Sequence, residues 1–78
     1  MSTRTFRWND PDETVGYRAA EVDGDVVRWW SWSHVHGEGR RDLGAQRREE
    51  VVRDGPPLEV PSIVLAQILE ALAASSDR

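Results

Sequence analysis

The chain has 78 residues, enough for one small hydrophobic core and too few for two. It contains no cysteine, which excludes disulfides and thiolate metal sites, so packing, an oligomer interface or a bound partner must stabilise it. Fourteen acidic against ten basic residues give a net charge of −4, which argues against a general nucleic-acid binder with a basic field.

The charges are unevenly spread. From Asp10 to Asp25 six acids meet one base, Arg18, a net of −5; from Arg28 to Arg53 six arginines meet four acids, a net of +2. All ten basic residues are arginine, as expected of a GC-rich genome or of a surface that uses planar, stacking cations. No apolar run reaches signal-peptide or membrane-spanning length, so a cytoplasmic protein without membrane contact is expected. A single domain over residues 1–78 is expected, frayed at about 1–3 and 74–78.

Arg4 to Trp8 alternates, with Phe6 and Trp8 on one side and Thr5 and Arg7 on the other, which predicts a short half-buried strand. Asn9 to Glu13, with Pro11 among Asx residues, reads as a loop. Val15 to Val22 and Val26 to Val35 read as two further strands, joined through Asp23-Gly24 in a two-residue type I′ turn. That turn predicts Arg18 opposite Trp29, Ala19 opposite Arg28 and Tyr17 opposite Trp30. One face then collects Val15, Tyr17, Ala19, Val26, Trp30 and Trp32, with His34 beyond; the other collects Arg18, Ala20, Val22, Val27 and Trp29. The first holds more apolar mass and is expected to be the core face.

Gly37 to Arg41 reads as a polar loop. Residues 45–54 favour helix by composition, with Asp42 as a candidate N-cap and Gly55 as the stop; the alternative is a charged edge strand. After the rigid Pro56-Pro57 linker, Pro61 and Ser62 open the clearest helix, apolar over more than half its circumference through Ile63, Val64, Leu65, Ile68, Leu69 and Leu72. The expected fold class is α+β: a three-stranded antiparallel β-meander packed on one face by a short helix and a longer C-terminal helix, β-β-β-α-α. Strands followed by a long helix is an arrangement similar to that of small single-strand DNA-binding proteins of the transcriptional-coactivator type, a likeness of arrangement alone.

His34, His36 and Glu38 share a parity and are weak candidates for a divalent-metal site; the bland reading is two rim histidines entering a loop, and no metal or cofactor is expected. Ser31 and Ser33 lie on the opposite side of a strand from His34, so no nucleophile-base pair forms, and Gly37-Glu38-Gly39 lacks the helix and lysine of a phosphate loop. An enzyme is therefore not expected. The candidate binding residues are Trp29 and Arg18, with Arg40 and Arg41, and Arg7 nearby. They predict a non-enzymatic module that binds protein or associates with itself as a homodimer. The alternative is single-stranded nucleic-acid binding through Trp stacking and Arg contacts. Burial of Trp29 would remove that surface.

Overall fold

The computed structural model describes residues 3–9, 16–33 and 39–76, with side chains as far as 74. The expected Asn9–Glu13 loop (beyond Asn9 itself), Val15, Val35 and the His34, His36 and Glu38 trio lie outside the described residues. The order is β1 (Arg4–Asn9), β2 (Gly16–Asp23), β3 (Val26–Ser33), β4 (Gly39–Arg47), α1 (Arg48–Asp54) and α2 (Ser62–Ser76). The four strands form one antiparallel sheet in the order β1-β2-β3-β4. The α+β class and the two helices are as expected, but the sheet has a fourth strand.

Residues 39–47 supply that strand, so the expected polar loop is corrected over 39–41 (37 and 38 lie outside the described residues), and over 45–47 the charged edge strand, the alternative reading, replaces the start of the expected helix. Tertiary pairing overrides local propensity here: β4 is hydrogen-bonded along the whole of β3. It carries a bulge between the partners of Trp29 and Trp30, where Leu43 is the extra residue and Gly44 adopts φ +101°. The helix proper starts at Arg48. Asp42 is not its cap; Arg47 holds that position, and its backbone N–H donates to Glu50 Oε1 at 3.0 Å. Gly55 ends α1 as expected, at φ +79° with its N–H on the Val51 carbonyl at 2.9 Å.

The β2–β3 hairpin also differs from expectation. Its two loop residues are Gly24 and Asp25, with Asp23 paired to Val26. Gly24 has φ +66° while Asp25 is not left-handed, the pattern of a type II′ turn with glycine at its first central position. The register therefore moves by two: Ala20 faces Trp29, Ala19 faces Trp30, Tyr17 faces Trp32, and Arg18 faces Ser31. A shift by an even number preserves which residues share a face. It does not decide which face is the core, and the expected core face is the wrong one.

The core lies on the Trp29 side. Trp8, Ala20, Val22, Val27, Trp29, Val51, Ile68, Ala71 and Leu72 form one buried cluster, with Phe6, Leu43, Leu58, Val60, Val64, Leu65 and Leu69 packed around it. Trp29, Ile68, Leu72 and Val27 are the largest fully buried side chains, each stabilising by about 1.5–3 kcal/mol. Residues 55–61 lead from α1, beside β4, to the β1 side. Two hydrogen bonds fix the ends of that crossing: Gln46 Nε2 donates to the Gly55 carbonyl at 3.1 Å, and Trp8 Nε1 to the Glu59 carbonyl at 3.1 Å. The Pro61 carbonyl accepts from Leu65 N–H at 2.9 Å, so Pro61 directly precedes α2 and Ser62 is its first residue. The helix is apolar nearly all round, yet Ile63 stays 75% exposed while Ile68, Ala71 and Leu72 are buried. Among the described residues no helix is long and apolar enough to cross a membrane.

Candidate functional site

Trp29, the residue on which the expected binding face depends, is 1% exposed. Its Nε1 donates to Gln46 Oε1 at 2.9 Å, and Gln46 in turn holds Gly55, so β3, β4 and the end of α1 are tied through one carboxamide. Arg18 is half-buried on the same core face, opposite Ser31 rather than Trp29. Arg41 is exposed and also faces Ser31, from β4. Only Arg40 among the four candidates lies on the other face. Of that expected set, the fold brings no exposed Trp–Arg pair together.

The combination of tryptophan and arginine does occur, on the face that both helices leave open. There β1 presents Arg7, β2 presents Tyr17, β3 presents Trp30 and Trp32, and β4 presents Arg40. Tyr17 and Trp32 are directly opposed and stack, with ring centroids 5.6 Å apart and planes at 19°. Tyr17 meets Trp30 edge to face, at 5.6 Å and 72°. The Arg7 guanidinium sits 5.0 Å from the centre of the Tyr17 ring, and that of Arg40 sits 4.6 Å from the centre of the Trp30 ring. Asp42, two residues along β4, accepts from Arg40 Nε at 3.0 Å and holds the guanidinium over the indole. Both partners of this pair are exposed, so its role is orientation rather than stability.

Gly39 opens β4 at φ +81°, and a Cβ placed on it would lie 2.4 Å from Trp32 Nε1. Backbone and indole are thus in direct contact where only glycine fits. Burial grades across the cluster: Trp30 is 7% exposed, Tyr17 and Trp32 are half-buried, and Arg7 and Arg40 are open. Arg28 and Arg47 lie on the same face, as do Glu21, Asp23 and Asp42, so among the described strand residues four arginines meet three acids there. Elsewhere, the hydrogen bond from the adjacent Arg53 holds the Asp54 carboxyl below its ordinary value, and the same bond raises the Arg53 guanidinium. That pair is open to solvent on α1 and lies outside the cluster.

Trp30 and Trp29 differ in one respect that can be measured. Trp30 Nε1 is buried without a hydrogen-bond partner, whereas Trp29 Nε1 is paired. A phenylalanine at position 30 removes an unsatisfied donor; at position 29 it strands the Gln46 oxygen as well as losing a bond. Trp29→Phe is therefore expected to cost more stability than Trp30→Phe by about 1–3 kcal/mol in urea titration. Equal losses would show that Trp30 Nε1 finds a partner in solution.

Among the described residues no group of three His, Cys, Asp or Glu side chains could hold a metal ion. Comparison with protein-family models, with curated proteins and with solved structures finds no match. The functional reading therefore rests on the geometry of this chain.

Proposed function

We propose that the protein is a non-enzymatic protein-interaction module whose docking surface is the open face of its sheet, centred on Trp32, Tyr17, Trp30, Arg40 and Arg7. One observation carries the reading: a half-buried Tyr17–Trp32 stack, flanked by two exposed guanidinium groups, lies on the face opposite the helices. Trp, Tyr and Arg are the residues most often found as interface anchors, because they bury much area with few rotamers to freeze. Here the rotamers are already restrained, by ring stacking, by Asp42 and by the Gly39 backbone, so binding loses little further side-chain entropy.

The second reading is single-stranded nucleic acid, since bases stack on aromatic rings and arginines meet phosphates. Two features favour protein. Arg7 and Arg40 already occupy ring faces that a base would need, and Glu21, Asp23 and Asp42 share the surface with the arginines.

The test compares wild-type protein with Trp32→Ala and Arg40→Ala as bait, followed by titration calorimetry with the purified ligand they retain. A hot-spot role predicts that Trp32→Ala weakens binding by about 2 kcal/mol or more, roughly 30-fold, while the circular dichroism spectrum is kept. A ligand held equally by all three proteins would place the interface elsewhere. Quenching of tryptophan emission by an oligonucleotide at low salt, lost steeply as salt rises, would transfer the reading to nucleic acid.

A further inference from the structure

The two edges of the sheet are built differently. β4 is defended by its bulge and by the charged run Arg40, Arg41 and Asp42. Such devices keep an edge from pairing with another chain. β1 has neither a bulge nor a proline, and among the described residues no strand lies outside it. At its end a cleft of about 380 Å³ is lined by Trp8, Asn9, Glu59, Val60 and Pro61. Its walls are an indole, two aliphatic residues, a carboxamide and an exposed carboxylate, and none of them is basic. An arginine fits that chemistry, with its stem on the apolar wall and its guanidinium between indole and carboxylate.

We infer that β1 pairs antiparallel with β1 of a second copy, and that the cleft of each copy receives Arg4 of the other. The register follows from symmetry. A twofold axis between antiparallel neighbours keeps both core faces on one side, so residues of equal parity must face each other. Centring the pair on Phe6 puts Arg4 opposite Trp8 and Thr5 opposite Arg7, with no like charges opposed. Centring on Arg7 sets two guanidiniums against each other, and centring on Thr5 leaves Arg7, Trp8 and Asn9 unpaired within the strand. Arg4 and Trp8 both lie on the core face, the side from which Glu59 approaches Trp8. Arg4 is exposed and rests 5.1 Å from the centre of its own Phe6 ring, ready to exchange that ring for Trp8 of the second copy. The edge shares only Arg7 with the aromatic face, and either assignment stands without the other.

Sedimentation of the full chain over a concentration series tests the inference. A dimer that weakens with salt is expected. Arg4→Glu and Glu59→Arg, both at exposed positions, should each raise its dissociation constant by about tenfold, since two symmetry-related pairs are lost and replaced by like charges. The double variant R4E/E59R should restore it. Thr5→Glu, facing Arg7 of the other copy, should tighten the dimer, and Thr5→Arg should loosen it. A strict monomer at about 1 mM, a range where even weak pairs associate, overturns the inference. So does a double variant no better than the single ones, or a dimer abolished by Trp32→Ala, which would move self-association to the aromatic face.

Discussion

Trp29→Ala is expected to leave little folded protein. Emptying a buried tryptophan site costs about 3–5 kcal/mol, and a chain of this length holds about 4–12 kcal/mol in all at typical stability per residue. Trp29 has no compensating freedom: it is 1% exposed, set against Ala20 on β2 and Gly44 on β4, and covered within the same cluster by Ile68 and Leu72. Small residues on both flanking strands mean that no neighbour can swell into the gap. The loss would also strand Gln46 Oε1, which accepts from the indole. Urea titration followed by far-ultraviolet circular dichroism measures the effect. A cooperative transition near the wild-type midpoint would show that this indole does not hold the sheet to the helices.

Ile68→Asp should be at least as damaging, by a different route. Ile68 is fully buried within the hydrophobic cluster between the sheet and the helices. A buried unpaired charge costs several kcal/mol, which α2 can avoid only by leaving the sheet. Departure would uncover Trp29 and Val27, so binding of a hydrophobic dye should rise as the folded signal falls. Ile63→Asp is the control. Ile63 is in the same helix but 75% exposed, and its change should stay within about 0.5 kcal/mol. Equal losses at 63 and 68 would mean that α2 docks by another side.

The contrast between positions 29 and 30 also shows how much of the fold was legible. Strand and helix identities followed from alternation at Phe6 and Trp8, from the glycine at the β2–β3 turn and from the apolar run after Pro61. Which face of the hairpin is buried did not follow from apolar mass. Trp30, Trp32 and Tyr17 outweigh Val22, Val27 and Ala20, yet they share their face with Glu21, Asp23 and Arg28, which must stay in water. The charges were the better guide, because a missing hydrophobe costs less than a buried unpaired acid. The binding surface moved with the faces: its chemistry, tryptophan with arginine, was readable, while the participating residues depended on the choice of side. β4 was read as loop and helix because its charged residues show no simple period of two, and its pairing with β3 is a non-local property.

The bulge in β4 supplies the reason for that lost period and has a consequence for the lineage of the chain. Arg40 and Gln46 are six residues apart, so in an unbroken strand they would project to the same side. The extra residue at Leu43 reverses the phase between them, sending Arg40 to Trp30 on one side and Gln46 to Trp29 on the other. Two adjacent indoles on β3 are thereby served from a single neighbouring strand. A β4 of eight residues in place of nine could satisfy one of them and not both. Residue count in this strand is thus constrained even where residue identity is free, and insertions or deletions between Arg40 and Gln46 should be tolerated far less than substitutions.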